Sequence, residues 1–307
     1  MKIKPNARIA IVGSVNSSKQ TLLKLHQYQC SVVRVLGLDP QYSAKVSGFQ
    51  DLKLLGDQLG YPSTYFKNIN DPEIYELLEK DKIDLLFVIG LSQMVREPLI
   101  NLAEIGNVGY HPTVLPHGRG RGALAWIILE KAPAGVTFFR MDEGMDSGPI
   151  LGQQEIELSS DDDVSTLLEK ILEAIDQVLD EILPAINAGN LRLQEQDHNA
   201  ATYLGVRKPS DGLINWNLEA HEIHRLVRAS CSPLPGAFTY YQGQQITIHK
   251  AELRPEYTGI PGRLIAFNSI GLPIITAAKG AISLLKVETV ASNTFKIGNE
   301  CSNTIND

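Results

Sequence analysis

Two residues in this chain stand where proton-transfer chemistry could be done. One is an imidazole in the run Gly109-Tyr110-His111-Pro112-Thr113-Val114-Leu115-Pro116; the other is a carboxylate in the turn Asp142-Glu143-Gly144-Met145-Asp146-Ser147-Gly148. Histidine can take or give a proton near neutral pH, and a carboxylate beside it can orient the ring for that task. Between them, Arg119 and Arg121 alternate with Gly118, Gly120 and Gly122. A glycine-rich basic loop of this kind suits a small anion such as a diphosphate, which guanidinium groups bind in a forked geometry. Bland readings compete with each of these. A histidine beside a proline is commonly a packed residue, Asp-Ser-Gly is commonly a solvated turn, and arginines can pair with carboxylates of their own domain.

The elements that must position these residues alternate. Residues 8–13, 32–38 and 83–90 are apolar runs that read as strands, the last continuous enough to be buried on both faces. Asn16-Ser17-Ser18 can cap a helix beginning near Lys19, and further helical stretches fall around Leu52 to Leu59 and from Glu73 to Lys80. Alternating strands and helices predict a Rossmann-like parallel sheet with right-handed crossovers, whose ligands lie beyond the carboxyl ends of the strands. Two loops qualify: Leu91 to Val95, and the one holding His111. Neither a Gly-x-Gly-x-x-Gly nor a phosphate-loop lysine pattern is present, since Ser18 and Gln20 stand where the latter needs glycine and a hydroxyl. After a further helix at Leu124–Leu129 and strands at Gly135–Met141 and near Ile150, the acidic run Ser160–Asp163 leads a long amphipathic helix from Val164 to Gly189.

Residues 1–190 therefore read as one α/β domain, 191–202 as a polar linker, and 203–307 as a second domain. The second domain has helix signals near Asn217–Ala229 and short strands elsewhere, which predicts a small β-barrel of the OB type. His221, Glu222 and His224 are spaced three apart and do not read as a zinc site, and no metal is expected.

Composition limits the partners. A formal net charge of −7 disfavours a long polyanion, which usually needs a basic face. Cys30, Cys231 and Cys301 lack metal-type spacing and read as buried thiols in a reducing compartment. The start of the chain leads straight into a strand, and no run is long and apolar enough for a bilayer, so a cytoplasmic protein is expected.

Taken together, the chain resembles the 10-formyltetrahydrofolate-dependent formyltransferases, the family of methionyl-tRNA formyltransferase and the sugar-nucleotide N-formyltransferases. The likeness rests on His111 to Pro116, Arg119-Gly120-Arg121, Gly135-Val136-Thr137 and Asp146-Ser147-Gly148, in that order. Farther along, Asp211–Trp216, Leu226–Ala229 and Pro233–Phe238 are similar to the family's carboxy-terminal domain. The resemblance implies that His111 is the base or oxyanion partner and that Asp146 holds its ring. It implies a folate pocket walled by Gln93, Met94 and Val95 and by Met141, Asp142, Glu143 and Gly144, mostly through backbone. It implies 10-formyltetrahydrofolate as co-substrate and small molecules as partners, and leaves a homodimer open.

One departure stands out. The family carries an Asn two residues before the His, where this chain has Gly109. Loss of one oxyanion donor in comparable sites costs about 10²–10³ in rate. Asn107 reaching in, a backbone N–H or water, or a changed reaction could each account for the departure. The stretch after the second strand, Asp39 to Gly48, holds one Lys and lacks the basic insertion that the tRNA-directed members share, so nucleic acid is disfavoured. The expected acceptor is the primary amine of a nucleotide-linked amino sugar, with Arg119 or Arg121 on its phosphates. The rivals are tRNA formylation, folate deformylation and non-catalytic folate binding.

Overall fold

The three long apolar runs lie side by side in a seven-stranded sheet, and the first of them is buried at every residue from Ile9 to Gly13. The computed structural model describes residues 4–289 and 295–303, which form two compact units. The first comprises Met1–Ala123, Pro133–Glu157 and Glu169–Leu204; the second comprises Leu124–Ala132, Leu158–Leu168 and Gly205–Asp307. In chain order the elements begin with β1 (Ile9–Gly13), α1 (Asn16–Gln27), β2 (Val32–Leu38), α2 (Leu52–Gln58), β3 (Ser63–Phe66), α3 (Pro72–Lys80) and β4 (Leu85–Ile89). Next come β5 (Gly106–Thr113), β6 (Arg119–Gly120), α4 (Ala123–Glu130), β7 (Ala134–Arg140), β8 (Ile150–Ile156), α5 (Val164–Ala188) and β9 (Tyr203–Leu204).

The sheet order is β3-β2-β1-β4-β5-β7-β8. Strands β3 through β5 are parallel, as expected from the alternation with helices, but β7 runs antiparallel to β5 and β8 antiparallel to β7. The expected Rossmann-like parallel sheet thus carries an antiparallel pair at one edge, where the chain passes from β7 to β8 without a helix between them. Strand β3 has no strong apolar pattern in Ser-Thr-Tyr-Phe, and it is held at the edge by pairing with β2.

Helix starts follow local chemistry. Asp163 Oδ1 accepts from the N–H groups of Ser165 and Thr166 at 2.8 and 3.0 Å, capping α5. Gly152 on β8 lets α5 lie close, since a Cβ there would stand 2.6 Å from Ile182 Cγ2. Asn16 to Ser18, expected to cap a helix from near Lys19, instead form the first turn of α1. Ser18 lies inside the helix, and its hydroxyl donates to Ile89 O at 2.6 Å while accepting from Ser14 N at 3.0 Å. This ties the turn after β1 to the end of β4.

In register, β4 pairs with β5 from Leu85↔Gly106 to Val88↔Gly109 and goes no farther. Residues 110–113 overhang the carboxyl edge of β4, supported by β7 alone through pairs such as His111↔Thr137. That overhang delivers His111 past the end of its neighbour.

The second unit contains α6 (Ala220–Ser230) and strands β10 (Ala237–Tyr241), β11 (Gln244–Arg254), β12 (Leu264–Phe267), β13 (Pro273–Thr276), β14 (Ala281–Thr289) and β15 (Cys301–Ser302). These form an antiparallel sheet in the order β12-β13-β14-β11-β10-β15. Its edges meet through an Arg263↔Glu300 bridge and through Leu264 N donating to Asn299 O at 2.9 Å and Cys301 N to Gly262 O at 2.8 Å, which rolls the sheet into the expected barrel. Inside, Tyr241 is fully buried and its hydroxyl accepts from Lys296 N and Asn299 Nδ2 at 2.9 and 3.0 Å. All three cysteines are buried free thiols, and burial pushes Cys30 up to about 11 and Cys301 up to about 12.

His221 and His224 do different jobs. His221 meets Glu219 at the surface, whereas His224 turns inward and its Nε2 donates to Ala251 O at 3.1 Å. Burial, and then the nearby Arg228, hold the His224 imidazole below its usual range, opposed by Asp161 and Glu252. Because the folded state binds this proton less readily than the unfolded chain, stability is complete above about pH 6.5 and is lost as pH falls below it. Calorimetric scans between pH 7.5 and 5.5 should therefore show a falling Tm, and His224→Gln should flatten that dependence.

Candidate active site

His111 is buried at the β5 overhang, and both of its ring nitrogens face groups brought from outside β5. Nε2 lies 2.7 Å from Gly118 O, and a carbonyl can only accept, so Nε2 carries a hydrogen. Nδ1 faces Asp146 Oδ2 at 3.7 Å, beyond direct hydrogen-bond length but well inside electrostatic range. A ring held in this way is positioned by Gly118 and faces its carboxylate through Nδ1, the nitrogen left to exchange a proton.

Asp146 is held as tightly as the histidine. Its residue adopts a positive φ of 50°, and its Oδ2 accepts from Gly120 N at 2.8 Å. The preceding turn is self-bonded: Asp142 Oδ1 accepts from Gly144 N at 3.0 Å and from Ser147 Oγ at 2.7 Å. Gly144 is needed for this, because a Cβ would stand 2.0 Å from Ser147 Oγ. Glu143 and Gly144 are exposed at the tip, and Met141 packs inward against Leu115, Phe139 and Ile150.

The polar stretch read as a linker carries the support. Gln194 pairs with Ile150 through two backbone hydrogen bonds of 2.7 and 2.9 Å, and Thr202 Oγ1 accepts from Gly118 N at 2.8 Å. Tyr203–Leu204 then forms β9 against β6, with Arg119 N donating to Thr202 O at 2.9 Å. Gln196 is the centre of this strap. Its Nε2 donates to Asp146 O at 3.0 Å and to Gly148 O at 2.6 Å, while its Oε1 accepts from Arg119 Nη2 at 2.7 Å. Gln196 and Thr202 were invisible to sequence reasoning because they act across separations of 50 and 84 residues.

Arg119 was expected to reach a substrate phosphate, and the structure corrects this. It is 2% exposed, and its guanidinium is engaged by Gln196, by His198 Nδ1 at 3.1 Å and by Tyr203 Oη at 3.3 Å. Arg121 is exposed, and its guanidinium has no hydrogen bond or ion pair among the described residues. Asn107 is corrected as well. It precedes His111 by four residues of extended chain, about 13 Å, and its Nδ2 donates away to Ile100 O at 3.0 Å.

The loop after β4 is preassembled. Gln93 spans it, with Oε1 accepting from Ile69 N and Nε2 donating to Lys67 O, both at 2.7 Å. Asn70 clasps it from the other side, donating to Met94 O at 2.9 Å and accepting from Arg96 N at 2.8 Å. Val95 is buried in the core of this unit, whereas the Met94 side chain is 74% exposed. Both amide ends of Gln93 are therefore used in holding the loop, and the exposed side chains beside it are Ser92 and Met94.

A profile described as formyl transferase matches residues 7–183, and one described as formyl transferase, C-terminal domain, matches residues 207–299. Among solved structures, HypX from Aquifex aeolicus in complex with tetrahydrofolic acid superposes with a TM-score of 0.67 at 18% identity, over 93% of this chain and 45% of HypX. WlaRD, a sugar 3N-formyl transferase in the presence of dTDP and 5-N-formyl-THF, gives 0.63 at 18% identity over 95% and 100% of the two chains. The N-formyltransferase from Helicobacter canadensis with folinic acid and dTDP-3-aminofucose gives 0.63 at 18% over 90% and 98%. This chain thus spans about half the length of HypX and the whole of WlaRD.

The strap makes a direct expectation. Gln196→Ala leaves the Asp146 and Gly148 carbonyls and the buried Arg119 guanidinium each short of a partner. Each such buried group costs about 1–3 kcal/mol, so urea denaturation should show a loss of at least that size. Gln196→Glu keeps an acceptor for Arg119 and should recover part of the loss.

Proposed function

Because this chain belongs to the formyl transferase family, we propose that it moves a formyl group from 10-formyltetrahydrofolate to the primary amine of a nucleotide-linked amino sugar. The observation that carries this reading is the buried His111, anchored at Nε2 by Gly118 and facing Asp146 through Nδ1. A formyl transfer needs such a group. The neutral amine attacks the formyl carbon, the new C–N bond forms, and the carbonyl oxygen takes up negative charge. Nδ1 of His111 accepts the proton that the amine sheds, and the resulting imidazolium faces the Asp146 carboxylate. Collapse of the tetrahedral species breaks the bond from carbon to N10, and His111 returns the proton to that nitrogen.

The folate would lie along the preassembled loop, against the exposed Met94 side chain, and along the exposed Asp142-Glu143-Gly144 tip. Two neighbours in fold carry folates in their crystal structures together with dTDP or a dTDP-amino sugar. The acidic charge of the chain supports a small acceptor over tRNA. Arg121, exposed and unengaged among the described residues, is the cation for the acceptor's diphosphate; Arg119 is not.

Incubation with 10-formyltetrahydrofolate and a panel of nucleotide-linked amino sugars, followed by mass, tests the reading. Donor loss should require an acceptor and match a formyl gain on it, and His111→Ala should lower the rate by about 10²–10⁴. Arg121→Ala should raise KM for the sugar nucleotide about 10-fold or more with kcat little changed. Donor loss without an acceptor would instead mean hydrolysis, with water in the place of the amine.

A further inference from the structure

Gly109 lies two residues before His111 on the same face of β5, opposite Phe139 of β7 in the ladder. A Cβ built at position 109 would stand 2.9 Å from Phe139 Cζ, 3.0 Å from Phe139 Cε1 and 3.0 Å from Met141 Cγ. The ring has little room to yield. Phe139 is 4% exposed and is packed against Leu115, Ile150 and Met141, and its backbone is fixed between β5 and β8. An aromatic side chain lying across a strand pair from a glycine covers the bare backbone that the glycine leaves, and it takes the volume a side chain would need.

We propose that Phe139 is the residue that decides what stands beside His111: its ring excludes any side chain at position 109, so Gly109 and Phe139 act as one specificity-determining pair. This deepens the reading of the site as a formyltransferase centre and rests on it for its catalytic meaning. Where the resemblance leads one to look for an amide beside the histidine, this chain presents the edge of an aromatic ring. The missing amide is thus not repaired from Asn107, which is committed to Ile100. It is excluded by the opposite strand, and restoring it requires two changes at once.

The steric half is tested without any activity. Gly109→Ala, Phe139→Ala and the pair are compared with the native protein by thermal denaturation. Each single change should lower Tm, the first by crowding and the second by leaving a cavity. The pair should lose clearly less than the sum, because alanine at 109 then meets only the flexible Met141 side chain. Additive losses, or a native-like Tm for Gly109→Ala, overturn the pairing.

The chemical half uses Gly109→Asn in the Phe139→Ala background and a hydrolysis-stable 10-formyl folate analogue as probe, titrated calorimetrically. One added hydrogen bond should tighten binding about 5- to 10-fold relative to Phe139→Ala alone. Gly109→Asn with Phe139 intact should gain nothing. Equal affinity in the two Phe139→Ala proteins overturns the claim that the ring is what keeps an amide out of the site. Failure of the native protein to bind the probe at all would count against the formyltransferase reading itself and would leave the outcome of the thermal cycle unaffected.

Discussion

A positive charge taken out of water must be given acceptors, and the buried guanidinium of Arg119 imposes that demand on everything around His111. Its hydrogen bonds go to the neutral groups of Gln196, His198 and Tyr203, so the cation is stabilised by geometry more than by a counter-ion. Gln196 can satisfy it only from one orientation, and in that orientation its amide N–H groups are aimed at the carbonyls of Asp146 and Gly148. The backbone conformation that presents Asp146 to His111 is therefore set by an arginine that touches neither. Rigid support of this kind is what a site needs when its reacting groups must be held to within a fraction of an ångström.

Much of this was legible in the sequence, and the pattern of what was not is instructive. His111 and Asp146 belong to short motifs whose chemistry is local, and the structure brings them face to face. The parallel half of the sheet followed from apolar runs alternating with helices, and the cap at Asp163 from an acidic run before an amphipathic stripe. Strand direction at β7 and β8 was not readable, because a run of apolar residues carries no sign of which way it enters the sheet. Arg119 and Arg121 look alike in a glycine-rich loop; only burial separates a structural cation from an exposed one. Asn107 was tempting because it is near His111 in sequence, but extended chain carries it away.

The chain keeps the histidine, the aspartate turn and both domains of the family, yet at Gly109 it keeps a bare backbone under an aromatic ring. Position 109 faces position 139 across an antiparallel strand pair, between residues 30 apart in the chain.

The strap that follows α5 also bears on where this protein can be divided. Boundaries drawn by similarity place the end of the first domain near residue 183, yet Gln196, Thr202 and β9 complete the His111 site and lie beyond it. A gene fusion or domain exchange with a relative must therefore join the pieces after Leu204 to keep the site whole. During synthesis, the histidine and aspartate emerge well before the residues that lock them, so the nascent chain holds its reactive pair without its clasp until the strap has left the ribosome.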